Sequence, residues 1–194
     1  MKVNFQNRCD FTLNSHFMII TQRQPMINIR MTKLAIFPLA VFLLTTPLTS
    51  IAKTFSAKVV RVIDGDTVQA YDGAINTRIR LYGIDAPESK QAFGQKAKQT
   101  MIQLVANQIV NIQDHGQDAY GRMLGTIYLK SQDINSIMVA EGMAWAYRYQ
   151  GRLTVPEYGT LEQNARNAGK GLWSDPNSIE PRQWRKANKK IHKE

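Results

Sequence analysis

The segment Val62–Val68 constrains the fold most strongly, because it is apolar at both ends and carries Asp64-Gly65-Asp66 in its middle. Glycine adopts positive φ without steric cost and aspartate tolerates turn conformations, so an Asp-Gly pair between two apolar runs predicts a tight β-hairpin. A second turn signal, Asp72-Gly73, follows within a few residues. This rhythm predicts three short antiparallel strands, at residues 55–63, 68–71 and 76–82.

The third predicted strand alternates in polarity. Ile79 and Leu81 should point to one face and Arg80 to the other, because successive side chains of a strand lie on opposite faces. The strand should end at Gly83, and the loop Asp85–Glu88 follows it. Two loops that carry carboxylates are therefore expected to meet an arginine at one end of a small sheet.

This expected meeting point brings together Asp66, Arg80, Asp85 and Glu88. Hard oxygen ligands suit calcium or magnesium, and the guanidinium fork of arginine suits phosphate. An Asp-Gly-Asp turn alone is more often a solvated turn than a metal site. The metal interpretation depends on the four residues lying close together.

The rest of the chain from residue 94 predicts further short elements. Ala97, Met101 and Val105 recur at helical spacing, which predicts a helix at 94–107. Asp133 is a plausible N-cap for a helix at 134–141, and Pro156 suits the first turn of a last helix with Tyr158, Leu161 and Ala165 on its apolar side. The other predictions are a strand at 109–112, a polar loop at 113–121, a strand at 122–129 and an extended piece at 144–149.

Five short strands with one helix between the third and the fourth are the pattern of the OB-fold. We therefore predict an α+β fold that is mainly β, a five-stranded Greek-key barrel with about three helices.

The order and spacing of the motifs resemble those of the staphylococcal nuclease (thermonuclease) family. The shared segments are Val62–Val68, Arg80–Glu88 and Asp118–Arg122, and the resemblance extends from about Phe55 to Trp173. It implies the same OB-fold barrel. It also implies a secreted, Ca²⁺-dependent endonuclease, a hydrolase that cleaves phosphodiester bonds of DNA and RNA without regard to the sugar and leaves 3′-phosphates.

The resemblance also implies roles for individual residues. Ala119 departs from the family pattern, because the best-known member has a lysine there, and this puts substrate affinity in doubt more than the chemistry. Whether Glu88 acts as a general base or orients the water stays open. The implied residues are the metal ligands Asp66, Asp85 and the backbone carbonyl of Ala86, the catalytic residues Arg80, Glu88 and Arg122, and the substrate-binding residues Tyr120, Tyr147 and Tyr149.

The uncharged stretch Leu34–Ala52 follows Arg30 and Lys33 and ends in small residues, which is the layout of a secretory signal. We expect cleavage near Ala52 and a secreted or periplasmic mature protein; the alternative is that this stretch remains as a membrane anchor. A complete signal could begin at Met31, which is an alternative start. The predicted organisation is an N-terminal extension and signal peptide at 1–52, a nuclease domain at 53–175 and a basic C-terminal tail at 176–194.

The chain has a formal net charge of +10, and the tail is rich in Lys and Arg, which suits a polyanionic partner. We expect DNA and RNA as substrates, a monomer, and a tail that is a mobile solvated end. The lone Cys9 excludes an intrachain disulfide.

Two other functions fit parts of the pattern. One is a non-catalytic OB-fold module that binds oligonucleotides. The other is a glycosidase that uses Asp85 and Glu88 as its acid pair. The first leaves the retained acids and arginines unexplained, and the second gives Arg80 and Arg122 no task.

Overall fold

The computed structural model describes residues 53–191. The predicted signal or anchor at Leu34–Ala52 and the alternative start at Met31 lie outside these residues. Within residues 53–191, no helix is both long enough and apolar enough to cross a membrane.

The described part of the chain contains ten strands, four α-helices and one 3₁₀ helix (Gly171–Ser174). The strands are β1 (Thr54–Asp64), β2 (Thr67–Tyr71), β3 (Asn76–Leu81), β4 (Ile84–Asp85), β5 (Ile109–Gln117), β6 (Met123–Leu129), β7 (Gln132–Asp133), β8 (Trp145–Ala146), β9 (Arg148–Tyr149) and β10 (Arg152–Leu153). The α-helices are α1 (Gly94–Val105), α2 (Ile134–Ala140), α3 (Pro156–Asn167) and α4 (Pro181–Ile191).

Five strands close into a barrel. The first half of β1 pairs with β5 and its second half with β2, and register shifts at Val59/Arg61 and Val62/Asp64 let this long strand bend between its two partners. The other antiparallel pairs are β2–β3 and β5–β6, and a parallel pairing of β3 with β6 completes the ring. The predicted OB-fold of the α+β class is confirmed, with α1 between the third and fourth barrel strands.

The barrel interior is filled by the apolar face of each strand. Ile79 and Leu81 are buried, as the alternation of β3 predicted, whereas Arg80 lies at the rim. Helix α1 contributes Ala97, Met101 and Val105 to the same core. The strand side chains without measurable exposure are Val59, Val68, Ile79, Ile112 and Ile127.

A buried asparagine fixes the parallel β3–β6 seam. The Asn135 side-chain amide donates to the carbonyl oxygens of Tyr82, at 2.9 Å, and Gly125, at 3.1 Å, and its side-chain oxygen accepts from the amide of Ile127. Asn135 is placed there by α2, whose predicted N-cap, Asp133, accepts from the amide of Ser136. A single side chain thus satisfies backbone groups on both strands of the seam.

Three sequence predictions are wrong in detail. The polar segment after residue 112 is a continuation of β5 to Gln117, because backbone pairing with β6 does not require apolar side chains on an exposed hairpin. Helix α3 buries Glu162 beside Tyr158 and Ala165, whereas Leu161 is only half-buried. The tail is not simply a solvated end, because residues 181–191 form α4.

Candidate active site

The predicted site residues meet in a cleft of about 830 Å³ at one rim of the barrel. The β1–β2 turn, the end of β3, the loop after β4, the β5–β6 loop and the β8–β10 segment all contribute to its walls. Every residue for which a side-chain role was predicted lines this cleft except Asp85, which lies beneath it and is 1% exposed.

The β1–β2 turn brings Asp66 against the β4 loop. The carboxylate of Asp66 accepts a hydrogen bond from the amide of Ala86 at 2.6 Å and another from the Thr67 hydroxyl at 3.0 Å. The approach is possible because residue 65 is glycine: a Cβ there would lie 2.8 Å from the Cβ atoms of both Ala86 and Ala97. The two predicted metal-binding loops are therefore in direct contact.

Arg80 joins the two buried carboxylates. Its Nη1 lies 2.8 Å from Oδ2 of Asp66, and its Nη2 lies 2.8 Å from Oδ1 of Asp85. Only 13% of the Arg80 side chain is exposed, so this pairing takes place largely out of water. The planar guanidinium suits this task, because its fork can donate in two directions at once.

Burial has the largest effect on the carboxyl group of Asp66. Burial, opposed by Arg80 and reinforced by the nearby carboxylates of Asp64 and Asp85, raises the pKa of Asp66 to about 7. The carboxylates here are crowded, desolvated and short of positive charge. An additional cation beside them would relieve that repulsion.

The loop after β4 presents Glu88 at the edge of the cleft. Its backbone amide donates to the side-chain oxygen of Gln91, and its carbonyl accepts from the amide of Gln91. The start of α1 packs so closely here that a Cβ on Gly94 would lie 1.9 Å from the carbonyl oxygen of Glu88. The backbone of Glu88 is therefore fixed, while 34% of its side chain is exposed.

A second arginine reaches this cluster from α4. Nη1 of Arg185 lies 2.7 Å from Oε1 of Glu88 and 3.3 Å from Oδ1 of Asp85, and its Nη2 lies 3.0 Å from Oδ2 of Asp85. Burial disfavours its charged form, but the hydrogen bonds to Asp85 and Glu88 outweigh burial and raise the pKa of Arg185. From the sequence, Arg185 is predicted only as part of the basic tail, with no role in the site.

Arg122 also lines the cleft and is held by the β5–β6 loop. Asp118 accepts from the backbone amides of Tyr120 and Arg122 and from Nε of Arg122 at 2.7 Å, so this acid caps the loop that carries Arg122. The guanidinium of Arg122 also lies 5.6 Å from the ring centre of Tyr120. Tyr120 itself is 83% exposed.

Tyr147 and Tyr149 come from the predicted extended piece, which the structure resolves into β8 and the small β9–β10 pair. The amide of Tyr147 donates to the carbonyl of Gly83, which ties this segment to the end of β3. Tyr147 is half-buried, whereas Tyr149 is 65% exposed. The exposed rings of Tyr120 and Tyr149 on the cleft wall offer surfaces on which bases can stack.

Comparison with known proteins identifies a family to which this chain is similar. The family described as "Staphylococcal nuclease homologue" matches residues 78–175. The chain belongs to the staphylococcal nuclease family.

Individual relatives extend the match beyond these residues. A protein of Shigella flexneri named micrococcal nuclease is 46% identical over 144 residues, which cover 70% of this chain and 83% of the relative. An uncharacterized endonuclease of Haemophilus influenzae is 44% identical over 135 residues, 69% of this chain and 75% of the relative. A staphylococcal-like nuclease of Arabidopsis thaliana is 36% identical over 110 residues, 56% of this chain and 33% of the relative.

Staphylococcal nuclease family members depend on a metal ion, and the donors of this site fit one. No group of three or more His, Cys, Asp or Glu side chains within residues 53–191 is arranged to hold a metal alone. The predicted set has two carboxylates, Asp66 and Asp85, and the backbone carbonyl of Ala86. All three donors are oxygen, and hard oxygen donors beside the further carboxylate of Asp64 suit a hard divalent cation.

The signal for Arg185 was present but weak. Trp184 is an aromatic side chain in an otherwise polar and basic segment, and an isolated aromatic residue in such a segment indicates a contact with the protein body. Pro181 is buried and Trp184 half-buried in the structure. Sequence reasoning could place α4 against the domain from this pattern, but it could not tell which arginine would enter the cleft.

Proposed function

We propose that this protein is an exported, Ca²⁺-dependent, sugar-non-specific nuclease that cleaves DNA and RNA and leaves 3′-phosphates. That the protein is a hydrolytic nuclease follows from its family and from its relatives. The observation that carries the proposal is the arrangement of two arginines, a partly exposed glutamate and two buried aspartates around one open cleft. A non-catalytic binding module has no need for this arrangement.

The reaction adds water to the phosphorus of a phosphodiester group that already carries a negative charge. The attacking oxygen needs a proton acceptor or an orienting group, and the developing charge on the phosphate oxygens needs preorganised positive partners. Calcium bound to Asp66, Asp85 and the Ala86 carbonyl would supply electrostatic stabilisation of that charge.

Glu88 is the residue that we assign to the attacking water. Its carboxylate is exposed at the cleft edge, and its Oε2 has no hydrogen-bond partner among the described residues. That oxygen is therefore free to accept a proton or a hydrogen bond from water, while Oε1 is held by Arg185. Attack on phosphorus breaks the bond to the 5′ oxygen, which leaves a 3′-phosphate on one product and a 5′-hydroxyl on the other.

Arg80 and Arg122 are the residues that we assign to the phosphate oxygens. Arg80 holds the aspartates with its two Nη atoms, and Asp118 fixes Nε and Nη2 of Arg122, which also lines the cleft. Donors from two guanidinium groups can contact different oxygens of one phosphate, which a single point charge cannot do. Tyr120, Tyr147 and Tyr149 would contact the flanking nucleotides.

The test of this function is hydrolysis of plasmid DNA and of a single-stranded RNA by the purified chain, with calcium, with magnesium and with excess chelator. We expect calcium to support cleavage of both substrates and chelator to abolish it. The products should be converted to 3′-hydroxyl ends by a phosphatase. Undiminished hydrolysis in chelator would contradict the metal dependence. Cleavage of only DNA or only RNA would show that the enzyme distinguishes the two sugars.

Export rests on the uncharged stretch Leu34–Ala52 and its small terminal residues. N-terminal sequencing of the protein recovered outside the cytoplasm should read from near Lys53. Recovery of the exported chain with this stretch intact would show a membrane anchor instead.

A further inference from the structure

The C-terminal helix α4 delivers one of its cations into the cleft. Among its exposed basic residues, Arg182, Lys186 and Lys189 form no ion pair with the described part of the chain. Arg185 forms two, with Asp85 and Glu88. A helix held to the protein only by non-specific attraction would not single out one cation in this way.

The segment before α4 fixes the position of that cation. The side-chain amide of Gln91, which also accepts from the amide of Glu88, donates to the carbonyl of Ile179 at 2.6 Å. Trp184 lines a small pocket with Pro87, Phe93 and other residues beside the Glu88 loop. The loop that carries Glu88 and the helix that carries Arg185 are therefore packed against each other.

Among the side chains that the structure describes, only Arg185 anchors the carboxylate of Glu88. Within residues 53–191, Arg185 is the only side chain that binds an oxygen of this group, although the Glu88 backbone is fixed. A glutamate has three side-chain torsions, and fixing them in one arrangement has an entropic cost that a strong charge-assisted hydrogen bond can offset.

We propose that Arg185 is a positioning residue for the hydrolytic reaction: it holds the Glu88 carboxylate beside Asp85 so that the free Glu88 oxygen faces the attacking water. This inference rests on the role proposed above for Glu88. It makes the C-terminal helix a part of the active site.

The geometry argues against a blocking role. Arg185 leaves Oε2 of Glu88 free, and the cleft retains a volume of about 830 Å³ with the arginine in place. The guanidinium also bonds both oxygens of Asp85, but each carboxylate oxygen has a second lone pair with which it can accept another partner. A guanidinium also suits positioning better than an ammonium group, because its fork can span two carboxylates while a lysine acts as a point charge.

The experiment compares single-turnover and steady-state cleavage by the full chain with Arg185→Ala, Arg185→Gln and Arg185→Lys. We expect Arg185→Ala and Arg185→Gln to lower kcat roughly 10- to 100-fold, the scale of a misplaced catalytic group, with little change in KM. Arg185→Lys should recover part of the loss. Lys186→Ala, which removes the same charge from the next residue of the helix, should retain the parent kcat.

Two further measurements separate positioning from folding and from catalysis itself. Adding Arg185→Ala to Glu88→Gln should cause little further loss of kcat, because the first change acts through the residue that the second removes. In thermal unfolding, the two changes should lower Tm by less than the sum of their separate effects. The unfolding cycle reports the Arg185–Glu88 contact whether or not the protein cleaves nucleic acid.

Several results would overturn the inference. A normal kcat in folded Arg185→Ala would show that Arg185 positions nothing, and a higher kcat would show a blocking latch. A rise in KM alone would indicate that Arg185 binds phosphate, and an equal loss in Lys186→Ala would indicate a bulk charge effect. A parent protein that cleaves neither DNA nor RNA would instead refute the proposed function, and the positioning role with it.

Discussion

The β8–β10 segment contributes to two clusters of arginines and carboxylates that differ in charge balance, because Arg148 belongs to one and Tyr147 and Tyr149 line the cleft that holds the other. The anchor cluster has one carboxylate, Glu162, which is 2% exposed and pairs with Arg148 at 2.8 Å and Arg166 at 2.6 Å. The guanidinium of Arg166 also lies 3.5 Å from the ring centre of Trp173 and 4.6 Å from that of Trp145. Positive charge there exceeds negative charge.

The cleft cluster has the opposite balance. Asp66, Asp85 and Glu88 share only two arginines, Arg80 and Arg185, and Asp64 adds a further nearby carboxylate that raises the pKa of Asp66. A buried carboxylate with a surplus of partners stabilises one conformation. A group of carboxylates with a deficit of partners is ready to bind a cation, so similar residue types serve structure in one place and chemistry in the other.

The strongest test of this contrast is its effect on rate. Glu88→Gln should lower kcat on the order of 10²–10⁴-fold, because it removes the group assigned to the attacking water. Glu162→Gln should leave the kcat of the folded protein near that of the parent. Single-turnover cleavage below the unfolding temperature measures both rates. Similar rates for the two variants would contradict the assignment of catalysis to the cleft cluster alone.

The contrast should reverse in stability. Glu162→Gln should cost about 3 kcal/mol in the free energy of unfolding, at the lower end for breaking a buried ion pair, because both arginines keep more than a third of their side-chain surface in solvent. Glu157→Gln, an exposed change in the first turn of the same helix, should cost less than about 1 kcal/mol. Urea unfolding decides the matter; equal losses would show that burial of Glu162 has no special effect.

The charge deficit of the cleft predicts a pH dependence. Because the pKa of Asp66 is raised in the folded state from 3.8 to about 7, the folded protein binds more protons than the unfolded chain between these values. Without metal, this group therefore stabilises the fold most at acid pH, and its contribution is lost as the pH rises through about 7, with a slope of at most about 1.4 kcal/mol per pH unit.

Asp66→Asn should remove that pH-dependent component, since asparagine does not ionise. Thermal melts of parent and variant in chelator from pH 4 to 8 make the comparison, and added calcium should offset the loss in the parent at the alkaline end. Parallel curves for the two proteins would contradict the raised pKa.

The smallest effect should come from the segment that joins the clusters. Tyr149→Ala should weaken binding of a short oligonucleotide by about 1 kcal/mol, the lower end for loss of base stacking, and change kcat less than binding. Tyr71→Ala, an exposed tyrosine away from the cleft, is the matched control. Fluorescence titration in calcium measures the affinity, and a loss in kcat larger than the loss in binding would move Tyr149 into the catalytic group.

Local patterns predicted most of the fold. The Asp64-Gly65-Asp66 turn, the alternation of β3 and the cap at Asp133 each depend on residues close in the chain, and the structure contains all of them. The meeting of Asp66, Arg80, Asp85 and Glu88 could be predicted because their motifs lie at the ends of these elements. The roles of Arg122 and the three tyrosines were implied only by the family resemblance. What could not be predicted depends on distant pairing.

The features that the sequence did not predict depend on contacts between residues far apart in the chain. Arg185 contacts Glu88 across 97 positions, so nothing near either residue in the sequence reveals the contact. Glu162 was not expected in the interior, since a helix face is assigned by its apolar residues and a buried acid can be recognised only with its partners. The polar end of β5 is held by backbone pairing with β6, which amino-acid composition hardly indicates.

The parallel β3–β6 seam has a consequence for how such an enzyme can diversify. It pairs Ile79 with Met123 and Arg80 with Leu124, so the backbones that bear Arg80 and Arg122 are joined by a few main-chain hydrogen bonds, with Asn135 clasping both strands. The seam therefore fixes the spacing between the backbones that bear the two arginines. Loops around the rim can lengthen, shorten or exchange residues without changing that spacing. If the two arginines bind phosphate as proposed, substrate preference can change through the loops while the spacing of the phosphate ligands stays constant.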